Sequence, residues 1–557
     1  MVLLALFLAA VGWLWLTHDV GLSVSDEGYV VAAGMRVLRG DMVGRDFHDP
    51  WSFIAYVVAV WFLFFGEDLV AFRQLMVLFK ATSAVLLYGA SLRAMPAPWA
   101  LLPYLATCLL SGPIFKAYTG TAFALALWGV MRYLEQPGAS RARQFGACMG
   151  LAFLLRPEVT AMLMVLFTVL PVVCCRRISR PVTDALEALV VFSGVLLLAL
   201  FLVLMISHPC EVLRKYPWET YLSVSGLDSL DRERLAQVPW RDWMSLPALF
   251  VYDHFINVQG GFLGSPAAVP HELHQQAVAM PLELLLTTLE FTVPLLLISF
   301  LVVEWNCIDA VLLAVLLASM TKYLARSDLS HLLQGLPLMS VVLARVLSRL
   351  ASGGCADKSR VGLAAAFLAR LDRWRPLAAA AGVGLALALL AGSLASTDIY
   401  SGGVGILRKA EHRLSLPAAH IWLDRERAWM FERLAQTVER RLKPGTSVFV
   451  GPNCPILYLM LGQQPHILLT FGHSFEPEAE LSERVGSRIE ILRNRVSQYS
   501  IELLILDQHY VAGMETEPRP EYFTALFRRL ALGFEKVEEA GRFVVFARRK
   551  PPTPARR

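Results

Sequence analysis

The sequence predicts a mainly α-helical, polytopic membrane bundle with a small α/β domain at its C-terminal end. Three observations carry that prediction. The 557 residues are 56% apolar and only 17% charged, with a mean hydropathy of +0.52, whereas soluble domains are about a quarter charged. The shortage of charge is local: long apolar runs alternate with short polar loops as far as residue 395. After about Ser396 the texture changes, and charged helical stretches alternate with short β-rich runs.

A helix needs about 20 apolar residues to cross a bilayer, with a working range of about 17 to 25. Runs of this kind fall near 2–17, 69–91, 98–112, 115–134, 145–155, 158–174, 184–207, 282–303, 307–324, 330–347 and 376–395, about 11 spans in all. Met1 to Leu16 has the length of a signal peptide but no basic leader and no small-x-small cleavage site, so it reads as a span that stays in place. The run 145–174 is broken by Arg156-Pro157-Glu158. A proline between two charges suits a turn better than mid-membrane helix. The segment 51–66 is apolar but short, and reads as a juxtamembrane or re-entrant helix.

Basic loops set the sides. Arg345 to Arg375, Arg176 to Arg180 and the pair Arg141/Arg143 are the richest, and the positive-inside rule makes all three cytoplasmic. They share a side when 145–174 crosses twice and 51–66 does not cross. The N-terminus is then inside. Loops 18–68, 208–280 and 325–329, the turn at 156–158, and everything after 396 are outside. The ionisable residues are read as lying at span ends.

The expected organisation is a membrane module over 1–395 with outer loops 18–68 and 208–280, an extracytoplasmic domain over 396–549, and a disordered basic tail over 550–557. In the soluble domain, Met430, Leu434, Val438 and Leu442 recur at helical spacing before Pro444-Gly445. Strands are expected at 447–450, 467–471 and 502–507, a short helix at 456–461, a helix at 484–499, and a terminal hairpin from 534–538 and 542–548. That alternation suggests a small α/β sandwich.

Several function classes are excluded or left without support. Net charge is only +5, with no basic stripe interleaved with aromatics, so no nucleic-acid partner is expected. No GxGxxG, P-loop or CxxC is present. Cys108, Cys148, Cys174, Cys175 and Cys307 lie in or beside spans and read as packing residues.

The outer loop after the first span opens Ser25-Asp26-Glu27-Gly28-Tyr29, just before a helix-forming stretch, and continues to Arg45-Asp46-Phe47-His48-Asp49-Pro50. The bland reading is a helix N-terminus, with Ser25 or Asp26 as cap and Glu27 at the positive helix end. The functional reading is an acid/base carboxylate, with the second carboxylate orienting substrate or supporting geometry. Both readings can hold together. Arg156/Glu158 and the group Lys322, Arg326, Asp328 and His331 fall on the same expected face. Arginines there suit a phosphate, whose oxygens accept paired hydrogen bonds.

In these stretches the chain resembles the GT-C superfamily of membrane glycosyltransferases, in the branch of protein O-mannosyltransferases and the lipid A aminoarabinose transferase. The motifs are Asp26-Glu27-Gly28-Tyr29, then Gly44 to Pro50 and Phe64-Phe65-Gly66. Weaker echoes are Leu155-Arg156-Pro157-Glu158, Arg326 to His331, Val450-Gly451-Pro452-Asn453 and Leu457-Tyr458. Pro50 is followed by Trp51-Ser52 where relatives often carry further prolines. The resemblance implies an inverting transfer from a polyprenyl-phosphate-linked sugar to a lipid, glycan or protein acceptor at the outer face of a bacterial inner membrane, among membrane lipids. It implies Asp26 as base, Glu27 beside it, Arg45, His48 and Asp49 near donor or acceptor, and Arg326 and His331 near the lipid phosphate. Asp26, Glu27 and Asp49 have the hard oxygens that Mg2+ or Mn2+ takes, but no metal or other cofactor is assigned. Two alternatives remain: a transporter or flippase, which would carry polar groups within its spans, and a non-catalytic protein of envelope-polysaccharide assembly.

Overall fold

The computed structural model describes residues 1–24, 26–43, 52–110, 112–156, 181–206, 307–324, 329–352, 375–396, 403–451, 454–466, 489–490, 492–508, 511 and 522–549. The spans expected at 158–174 and 282–303, the strand at 467–471 and the basic tail lie outside these residues. The chain divides into two compact units: one from 1–18, 76–203 and 217–407, the other from 19–75, 204–216 and 408–557. The change of texture near 396 is thus followed by a unit boundary near 407, and residues 19–75 group with the C-terminal residues.

The first unit is helical. It holds α1 (Val2–Trp15), the larger part of α4 (Leu69–Ser91), α5 (Ala97–Leu109), α6 (Ala117–Glu135), α7 (Ala139–Leu155), α8 (Pro181–Ile206), α9 (Cys307–Leu324), α10 (Leu329–Ser352) and α11 (Arg375–Ala395). Among the described residues five helices are long and apolar enough to cross a membrane, and the chain is an integral membrane protein. The lining of these helices separates centre from rim. The α6 window is 83% buried, whereas those of α8 and α11 are 17% and 22% buried, leaving leucines and valines outward where only lipid suits them. Helix α7 meets α8 through Gly146 and Gly150, four residues apart. A Cβ on Gly146 would lie 2.1 Å from the Ala188 carbonyl oxygen, and one on Gly150 would lie 2.8 Å from Val195 Cβ. Small residues at this spacing let membrane helices approach closely. Helix α7 ends at Leu155, as the Arg156-Pro157 break implies.

Ionisable groups are not confined to span ends. Lys80 is the twelfth of the 23 residues of α4. Asp309, by contrast, stands in the first turn of α9, at a span end, where it is fully buried between Arg345 and Arg349 of α10. Cys108 and Cys148 are buried free thiols. Cys307, expected as a packing residue, is disulfide-bonded.

The second unit joins α2 (Asp26–Leu38) and α3 (Ser52–Phe65) to the C-terminal domain. That domain holds a hairpin of β1 (His412–Leu416) and β2 (Ala419–Leu423), then α12 (Arg425–Arg441), β3 (Ser447–Val450), α13 (Ile456–Met460), β4 (Ile501–Asp507), α14 (Tyr522–Ala531), β5 (Phe534–Ala540) and β6 (Phe543–Arg548). The sheet order is β3-β4-β6-β5, with β3 parallel to β4 and the other pairs antiparallel. Alternation along the strands fills two faces. Leu504, Leu506, Val544 and Phe546 pack with Leu526 and Phe527 of α14 and with Leu492 and Val496. Phe543, one residue out of phase, meets Phe431 of α12 at 6.0 Å between ring centroids. Helices therefore cover both faces of the sheet.

Candidate functional site

Helix α2 begins at Asp26, so Glu27 falls in its first turn. Glu27 is fully buried, and so is its partner Arg73 of α4. The pair is bidentate: Arg73 Nε donates to Glu27 Oε1 at 2.7 Å and Nη2 to Oε2 at 2.8 Å. Arg73 also donates to the carbonyl oxygens of Gly21 at 2.8 Å and Val20 at 3.4 Å. The Ser23 amide donates to Glu27 Oε2 at 3.3 Å. A buried ion pair is tolerable only when its remaining donors and acceptors are satisfied, and these backbone contacts satisfy them. The carboxylate also sits where the positive end of α2 favours it.

The backbone that Arg73 grips is itself held by the C-terminal domain. Trp422 of β2 donates its amide to the Asp19 carbonyl at 2.7 Å, and Gly21 donates back to the Trp422 carbonyl at 2.8 Å. The stretch thus adds a parallel bridge, Val20 to Trp422, at the edge of the β1–β2 hairpin. Leu69, the first residue of α4, donates to the Ala418 carbonyl at 3.0 Å. On its other side α2 meets α13, where a Cβ on Gly28 would lie 2.3 Å from the Ile456 amide nitrogen. Helix α13 is pinned by Tyr458, whose hydroxyl oxygen accepts the Val450 amide at 3.0 Å. Burial pushes that hydroxyl's pKa up, so it stays protonated. The far end of α2 is tied by Arg36 to Asp41 at 2.6 Å and by Arg39 to Glu67 at 2.8 Å.

The first unit holds a separate concentration of positive charge. Lys80, Ser83, Thr107, Lys116 and Gly120 line a cavity of about 20 Å3, room for one ordered water. Lys80 donates to the Gly112 carbonyl at 3.3 Å. Ser83 Oγ is buried with no hydrogen-bond partner among the described residues. Arg156 donates from Nε to Thr119 Oγ1 at 3.0 Å and stacks over Tyr118 at 5.6 Å. Lys116 and Thr119 flank the start of α6, whose helix end adds positive potential. Among the described residues no carboxylate lines the cavity.

Of the residues the sequence singles out, Glu27 and Arg156 have described side chains. Asp26, Lys322 and His331 are placed by backbone alone, in α2, α9 and α10. Arg45, Asp46, His48, Asp49, Glu158, Arg326 and Asp328 lie outside the described residues. Among the described residues no three His, Cys, Asp or Glu side chains gather as metal ligands, and Glu27 is committed to Arg73. Sequence reasoning missed Arg73, Lys80 and Lys116. The signal was present, since a charge inside an apolar run marks a site by default.

No protein-family model matches the chain, and no curated protein sequence does. Solved structures similar to it include ArnT from Cupriavidus metallidurans bound to undecaprenyl phosphate, at 15% identity and a TM-score of 0.49, covering 98% of this chain and 97% of that one. The oligosaccharyltransferase AglB from Archaeoglobus fulgidus, in complex with an inhibitory peptide and a dolichol-phosphate, is 12% identical with a TM-score of 0.49, covering 100% of this chain and 75% of that one. The same Archaeoglobus fulgidus enzyme with Zn and sulfate gives a TM-score of 0.46 at 12% identity, covering 98% and 73%.

Proposed function

We propose that this chain is a membrane glycosyltransferase that moves a sugar from a polyprenyl-phosphate donor to a lipid, glycan or protein acceptor at the outer face. The observation that carries the reading is the division of labour at the head of α2. Glu27 is fully engaged by Arg73 and buried backbone, so it serves as a brace, and Asp26, the residue before it, is the carboxylate assigned to chemistry. In the transfer, the acceptor hydroxyl gives its proton to Asp26 as its oxygen attacks the anomeric carbon. The bond from that carbon to the phosphate oxygen breaks, and the polyprenyl phosphate leaves with the electron pair, inverting the centre. The leaving phosphate needs positive potential within the bilayer. Arg156, Arg326 and His331 supply it in this reading. With about 11 spans and the charge rule of the loops, the unit containing 408–557 is extracytoplasmic and the membrane is a bacterial inner membrane.

The test is transfer by purified protein in proteoliposomes loaded with lipid-linked sugars, read by mass spectrometry of the products. Asp26→Asn is expected to abolish transfer with the protein folded. Wild-type transfer by that variant would overturn the assignment. Solute uptake without sugar transfer would favour a transporter instead.

A further inference from the structure

We infer that the C-terminal domain is a positioning part of the catalytic head, and that Gly28 is the contact through which it sets the angle of α2 and thereby places Asp26. This rests on the glycosyltransferase reading for its chemistry and on separate geometry for its mechanics. Helix α2 is held on two sides by the same domain. On one side β2 pairs with 19–21, those carbonyls bind Arg73, and Arg73 binds Glu27. On the other, the Ile456 amide nitrogen and Cα approach Gly28 so closely that an added Cβ would lie 2.3 Å and 2.9 Å from them. Backbone atoms are involved, so a side-chain rotation cannot relieve the crowding. Any residue larger than glycine must push α2 and α13 apart. Gly28 stands two residues from Asp26, and the brace at Glu27 stands between them.

A positioning role separates from a binding role in kinetics. A displacement of about 1 Å at a reacting group costs up to about 100-fold in rate, while donor affinity, set elsewhere, is unchanged. Gly28→Ala in the full-length protein in nanodiscs is therefore expected to lower kcat by about 10- to 100-fold with KM for the lipid-linked donor within about threefold. A gentler variant, Tyr458→Phe, adds no atoms and removes the hydroxyl that seats α13 on Val450. It is expected to show the same split with a smaller fall, on the order of tenfold. Hydrogen exchange gives a readout independent of activity: in both variants residues 29–38 and 456–460 should lose protection together, while α6 and α10 keep theirs. Wild-type kcat in both variants overturns the inference, and so does a rise in KM at unchanged kcat. If the wild-type protein transfers no sugar, the catalytic reading fails by itself. The exchange data then decide the coupling alone, and retained protection in both variants overturns it.

Discussion

At Glu27 the sequence offered a charge at the positive helix end, or one of two site carboxylates, one taking a proton and the other orienting substrate or supporting geometry; the side chain forms a closed, buried ion pair with Arg73. Its partner lies 46 residues away, so no local pattern could announce it. Arg73→Met would leave an unpaired buried carboxylate, at a cost of about 3–5 kcal/mol. The thermal midpoint in detergent is expected to fall sharply, and Arg73→Met with Glu27→Leu is expected to recover most of the loss, a non-additivity that measures the pair directly. Lys80 is a different case. Its position halfway along an apolar helix was legible, yet the apolar average around it concealed the charge.

Elements were legible where period and punctuation agreed. The terminal hairpin, the strand at 447–450 and the short helix at 456 fall where alternation and Gly or Pro predict them. The β1–β2 hairpin was not anticipated, although Leu414, Leu416, Ala419, Ile421 and Leu423 alternate inward across it. Each strand is only five residues long, and the charged stretches around them read as helix. Helix α12 starts after Asp424, whose side chain accepts the Arg427 amide at 2.9 Å. Burial pulls this carboxyl's pKa up, but the Arg427 amide and guanidinium outweigh it and hold it below the usual carboxylate range. A depressed carboxyl stabilises fully above its unfolded value and loses that contribution as pH falls through the folded one. Exchange protection of α12 should be flat from pH 8 to 5 and decline in strong acid. Asp424→Ala should cost about 1 kcal/mol at neutral pH and reduce the acid sensitivity, leaving the share that Glu538 contributes through Arg433 and Arg440. Cys454, between β3 and α13, is 1% exposed, and burial with the nearby Asp507 charge pushes its thiol up to about 12. Maleimide should leave it unmodified at pH 8 until denaturant opens the domain.

At the scale of the molecule, the C-terminal residues from 408 and the segment 19–75 group in one compact unit. Composition could not show this, because it registers texture along the chain and not contact across it. Removing residues 408–557 would strip the bridging partner from Val20 and the helix from Gly28. Trypsin is then expected to cut at Arg36 and Arg39 in membranes where the full-length loop resists. The pairing of Val20 with Trp422 also has a meaning in time. The two residues are made about 400 positions apart, roughly 20 to 80 s of synthesis at ~5–20 residues per second. Until the ribosome has delivered β2 and α13, the head of α2 lacks its frame. A chain stalled anywhere in between carries the acidic motif but not the frame that β2 and α13 give it.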